Sequence, residues 1–230
     1  MDKISLMLQL QADLNKATNG DKWTSGITKN NKVINWKRCI YMECAEMIDS
    51  FSWKHWKNID KEANWANLQI EVVDVWHFIM SLAIELDAQH AQSGIGAIAS
   101  SLADAKSFEK IIVKNSLFAN ENEIMEKIEA IMLESLLKNE FSLEKLVNDF
   151  FDLVVMSALD LETLYKLYVG KNILNQFRQD HGYKDGSYIK VWNGEEDNVV
   201  MQRVLEQNSD IAPAELYEEL EKLYPAQSNS

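Results

Sequence analysis

Two acidic pairs set symmetrically about one short turn restrict this chain more than any other feature of it. The first reads Glu43-Cys44-Ala45-Glu46 and the second Glu71-Val72-Val73-Asp74. A spacing of three places both carboxylates of a pair on one face of a helix. The point midway between Glu46 and Glu71 is also midway between Glu43 and Asp74, and it falls at Asn58/Ile59. Two helices folded back antiparallel about that point bring Glu46 opposite Glu71 and Glu43 opposite Asp74. The four acids then lie at one level, roughly 20 Å from the turn at 1.5 Å per residue.

The rest of the sequence agrees with helices. Two prolines and eight glycines in 230 residues are too few for the turns of a sandwich or barrel, and Leu, Ala, Glu, Lys and Ile are plentiful. An all-α fold is expected, a helical bundle whose two antiparallel helices carry the acidic pairs. Helices are expected over residues 4–16, 35–57, 61–90, 97–118, 120–138, 142–168, 172–180, 199–206 and 213–223. Asp60 is the expected N-cap of the third, Gly170 an expected break, and Pro213 suits a first turn. Residues 181–198 read as a turn-rich aromatic loop. With 47% apolar residues, the chain can bury one substantial core. A single domain over 1–230 follows, with 226–230 as a disordered tail.

The net charge of −13 disfavours a nucleic-acid partner, which needs a basic surface. Cys39 and Cys44 form no Cys-x-x-Cys and have no His pair at zinc spacing, so they read as reduced, buried residues. The first ten residues lack a basic region followed by an apolar block. The most apolar run, 72–86, contains Asp74, His77 and Glu85 and is too short and too charged to span a bilayer. A cytoplasmic protein without a membrane partner is expected.

Around the acids the neighbours are apolar: Trp36, Ile40, Met47 and Ile48 beside the first pair, Leu68, Val72, Val75, Phe78 and Ile79 beside the second. Helices apolar on most sides are buried ones, and four carboxylates converging there repel one another. A hard cation relieves that conflict, and magnesium takes oxygen ligands and shares its shell with substrate phosphates. Four ordinary surface acids are the alternative, but the mirrored spacing favours a metal site. A di-iron bundle needs Glu-x-x-His twice, and only Asp74-x-x-His77 approximates it.

Residues 41–50 (Tyr41 to Ser50) with Trp53-Lys54-His55-Trp56-Lys57 resemble the second motif of the dimeric dUTP diphosphatases, and Asn67 to Phe78 resemble the third. Gln11 to Asn15 are similar to the N-terminal motif. Residues 171–178, and 182–194 from Gly182-Tyr183-Lys184 to Trp192-Asn193-Gly194, are similar to the C-terminal ones, while 91–165 are largely uncovered. The resemblance implies an all-helical homodimer that hydrolyses dUTP and dUDP to dUMP, releasing pyrophosphate or phosphate.

On that reading, Glu43, Glu46, Glu71 and Asp74 hold two or more Mg²⁺ ions, and Glu46 also orients the attacking water. Lys54, Lys171, Arg178, Lys184 and Lys190 are candidate phosphate contacts, with Asn175 and Tyr183 alongside them. Gln11 and Asn15, four apart on one helix face, carry the donors and acceptors that suit the edge of uracil. His77 and Phe78 place a base beside the metals, and Trp53 and Trp56 offer rings for the sugar or base. Two other readings compete: a pyrophosphatase for another nucleotide, and a non-catalytic helical dimer that binds a metal or nucleotide.

Overall fold

The computed structural model describes residues 2–57, 60–208 and 210–225. Within them the fold is all-α, with ten helices and one two-stranded ladder. The chain divides into two compact units, Met1–Tyr165 and Lys166–Ser230.

In the first unit, α1 (Lys3–Asn19) starts where the Asp2 carboxylate accepts a bond from the Ser5 amide, and it ends at Gly20. A single 3₁₀ turn, Trp23–Ser25, follows. Helix α2 (Trp36–Ile48) is capped by Asn35, whose side chain accepts from the Arg38 amide. Helix α3 (Trp65–Gln89) is capped by Asn64 through the Asn67 amide. Two expectations are corrected here. The second helix stops at Ile48 instead of continuing to 57, and Asn64, not Asp60, opens the third. The pivot itself, Asn58-Ile59, lies outside the described residues.

Helices α2 and α3 nevertheless run antiparallel. Trp36 stacks on Phe78 at 6.0 Å, whereas near the other end of the pair the Asn64 amide donates to the Ser50 carbonyl and Asn67 Nδ2 to Ser50 Oγ. Helix α3 is the centre of the unit. Leu68, Val72, Val75, Trp76, Ile79 and Met80 on it are fully buried. Such a helix needs cover on every side, and it receives it from α1, α2, α4 (Ile95–Ala103) and α7 (Leu143–Met156). Trp76 lies flat against Phe150 of α7, with centroids 4.9 Å apart and planes 7° from parallel. A short α5 (Phe108–Ile111) packs on α7, and α6 (Glu121–Leu136) on α2 and α7.

The sequence leads one to expect a continuous helix from 142 to 168, a break at Gly170 and another helix from 172. The chain instead breaks at Ser157–Asp160 and runs unbroken as α8 (Leu161–Asp180). Ala158 adopts the left-handed conformation, φ 56°, and the Leu159 amide returns to the Val154 carbonyl. Asp160 then caps the new helix: its carboxylate accepts from the Thr163 amide at 2.8 Å while Thr163 Oγ1 accepts from the Asp160 amide. This reciprocal cap resembles a capping box. Residues 97–118, expected as one helix, hold only α4 and α5.

In the second unit, Gly170 does not punctuate. A Cβ there would lie 2.6 Å from Leu205 Cδ1 and 2.8 Å from Met201 Sδ, so glycine permits α8 to approach α9 (Asp197–Gln207) closely. Strands β1 (Val191–Trp192) and β2 (Glu195–Glu196) pair antiparallel just before α9. Helix α10 (Pro213–Leu223) packs on α9. Phe177, Tyr188, Trp192, Tyr217 and Tyr224 form the aromatic core of this unit.

Candidate active site

On α2 the buried stripe is Ile40, Cys44 and Met47, so Glu43 and Glu46 emerge at its margins. On α3 Glu71 is buried, 8% exposed. Glu43, Glu46 and Glu71 each bring one carboxylate oxygen to within 4.8 Å of the others. Asp74 stands three residues beyond Glu71, half-buried and outside that grouping. The environment also departs from the uniformly buried one expected, because Glu46 is exposed and Glu43 half-buried. The apolar neighbours in sequence face the bundle, while the acids of α2 turn to its edge.

The donor set fits a hard divalent cation. All three ligand atoms are carboxylate oxygens, the ligand type that magnesium prefers. In an octahedral shell at about 2.1 Å, neighbouring oxygens lie ~3.0 Å apart and opposite ones ~4.2 Å, so three oxygens within 4.8 Å of one another need draw together by only about an ångström to share one ion. Among the described residues, no cysteine sulfur joins the three carboxylates. Burial first, and the Glu43 charge second, push Cys44 well above the ordinary thiol range, and Cys39 is raised for the same reasons.

Gln11, Asn15 and His77 meet in a buried network between α1 and α3. His77 Nδ1 lies 2.6 Å from Gln11 Oε1, and Gln11 Nε2 donates to Asn15 Oδ1 at 3.1 Å. Both amides donate to Ser81 Oγ, at 3.0 and 2.8 Å, and that hydroxyl donates to the His77 carbonyl. Sequence reasoning missed Ser81, although it continues the Asp74-His77 face by one turn. Phe78 is half-buried under Trp36. Trp53 and Trp56 pack edge to face at 5.7 Å, and both remain exposed. Lys54 bonds Asp49 at 3.1 Å, as does Trp53 Nε1 at 3.0 Å.

The remaining candidates belong to the second unit. Lys171, Asn175 and Arg178 recur on one face of α8. Lys171 and Arg178 are buried, 2% and 8% exposed. Lys171 Nζ donates to Asn198 Oδ1 at 2.9 Å, and Arg178 Nη1 to Asn175 Oδ1 at 3.2 Å. Tyr183 lies 5.7 Å from the Arg178 guanidinium. Lys184 and Lys190 are exposed, and Lys190 pairs with Glu196 at 3.4 Å. The buried acid of this cluster, Asp197, carried no signal in the sequence, where it closes the run Glu195-Glu196-Asp197.

These geometries meet an independent finding. A family model described as dUTPase matches residues 3–183, which includes both acidic pairs and the Gln11–Asn15 motif. No curated protein matches the chain. No helix among the described residues is long and apolar enough to cross a membrane. With its all-α fold and a match over most of its length, the chain belongs to the all-α dUTPase family and is a dUTP diphosphatase, a hydrolase.

Proposed function

We propose that hydrolysis is magnesium-dependent, that it accepts dUDP as well as dUTP, and that dUMP is the common product. The observation that carries this reading is the set of three carboxylate oxygens from Glu43, Glu46 and Glu71 within 4.8 Å of one another. Together with Asp74 they would hold two or more Mg²⁺ ions. When bound, these ions neutralise phosphate charge and lower the pKa of a coordinated water.

The protein's own groups then have separate tasks. Glu46, the exposed member, accepts a hydrogen bond from the attacking water and takes up its proton. Gln11, Asn15 and His77 read the base edge, with Phe78 beside it, and Trp53 and Trp56 offer ring surface. Lys54, Lys171, Arg178, Lys184 and Lys190, with Asn175 and Tyr183, hold the phosphate chain. A site centred on the first two phosphates needs no third one, so the diphosphate is a substrate. We further propose that the enzyme works as a homodimer in the cytoplasm, in keeping with a family of dimeric enzymes.

Hydrolysis in ¹⁸O-labelled water is expected to yield dUMP and pyrophosphate from dUTP, and dUMP and phosphate from dUDP. Chelation with EDTA should abolish both reactions, and added Mg²⁺ should restore them. Release of dUDP from dUTP, or an inert dUDP, would overturn the placement of the acids relative to the phosphate chain.

A further inference from the structure

Arg178 reaches its surroundings through a buried acid that lies beyond the family match. Asp197, fully buried at the first turn of α9, accepts from Arg178 Nε and Nη2 at 2.8 Å each. Tyr188 donates its hydroxyl to the same carboxylate at 2.8 Å, and the Asp197 amide is tied to the Lys190 carbonyl. The next residue, Asn198, accepts from both Lys171 Nζ and Arg178 Nη2, at 2.9 and 3.2 Å. One carboxylate thus joins α8, the 181–190 segment and the start of α9.

We propose that Asp197 is a positioning residue for the phosphate-holding cations, an inference that rests on Arg178 and Lys171 having that role. A two-point pair fixes the plane of a guanidinium as well as its place. With Nε and Nη2 engaged by Asp197, the Nη1 edge is directed to the Asn175 side of α8, the face that also carries Lys171. Burial alone would raise the Asp197 carboxyl, but the hydrogen bonds and charge of Arg178, with the Tyr188 hydroxyl, outweigh it and hold the group below the ordinary Asp range. The carboxylate is therefore charged at neutral pH, as the pair requires.

The test compares Asp197→Asn, Tyr188→Phe and Arg178→Ala in the full chain, with KM and kcat for dUTP and the Kd of dUMP. Asp197→Asn is expected to raise KM for dUTP about tenfold or more, with a smaller change in kcat and in dUMP affinity. Tyr188→Phe keeps the ion pair while removing one of its supports, and should raise KM several-fold with dUMP affinity unchanged. It also serves if Asp197→Asn does not fold. A general structural role would instead weaken dUMP and dUTP alike, and that result overturns the proposal. If Arg178→Ala raises KM while both other variants leave it unchanged, the positioning role fails and the phosphate role of Arg178 stands. If Arg178→Ala leaves KM unchanged, the phosphate role fails and the positioning role with it.

Discussion

At Glu46 the exchange of carboxylate for amide preserves shape and removes both charge and basicity. The side chain is exposed at the edge of α2, so no packing depends on it. Glu46→Gln is therefore expected to fold with an unchanged melting temperature and to lose activity by about a hundredfold or more, the order associated with a positioned acid–base group. Steady-state hydrolysis of dUTP beside a thermal melt checks both halves. Activity near the native level would remove Glu46 from the mechanism. The same residue shows what spacing can and cannot convey. Position along a helix fixed the angular relation of Glu43 to Glu46, but the partner helix decides which of them is covered.

On its α7 side, helix α3 is held by Trp76, which is fully buried against Phe150 and Phe151. Truncation to alanine removes a large ring and leaves a cavity, so Trp76→Ala should cost about 3–5 kcal/mol of unfolding free energy, read from denaturant midpoints. The start of α8 offers a gentler test. Burial would raise the Asp160 carboxyl, but the Thr163 backbone and side-chain bonds, and the Asn115 amide, hold it below the ordinary Asp range. A depressed folded value means that stability from this group is present above the unfolded value and is lost as pH falls through the folded one. Asp160→Ala should thus cost about 1 kcal/mol at neutral pH, as for other N-caps. Urea midpoints of the two proteins should converge below the ordinary Asp range. A gap independent of pH would remove the charge from the explanation.

For the whole molecule, the expected homodimer loses one of its supports. A continuous helix over 142–168, apolar almost all round, would need cover on every side that a second subunit could give. That segment is broken at Ser157–Asp160, and the apolar residues of α7 such as Leu146, Phe150 and Val154 are fully buried within the first unit. Exposed apolar side chains lie elsewhere, among them Met42 on α2 and Leu133 and Leu136 on α6, each about half exposed or more. A two-fold interface buries the same surface of both subunits, and exposed apolar residues such as Leu133 and Leu136 on α6 are candidates for it. Sedimentation is expected to give a dimer at micromolar concentration, and Leu133→Glu with Leu136→Glu to shift it toward monomer. A native monomer at that concentration would reject the dimer, and an unaffected double variant would move the interface off α6.

Much of this protein was legible in its residues because helices impose a local code. The caps Asn120 and Ser142 at expected helix starts, the first-turn Pro213, the 3.6-residue stripes and the mirrored acids all depend on neighbours a few positions apart, so the all-α fold and the α2–α3 acidic group could be read directly. Three things needed the folded chain. Gly170 reads as a helix breaker in sequence, yet α9 packs over it, because a glycine lost to helix propensity can be regained in close packing. The apolar run through Val154 and Leu159 hides a break that only the Asp160–Thr163 cap and a left-handed Ala158 reveal. Asp197 and Ser81 are ordinary polar residues until partners nineteen and sixty-six or more positions away meet them. Local spacing sets which face a side chain takes. Long-range packing decides what that face meets, and therefore which polar groups become buried and must find partners.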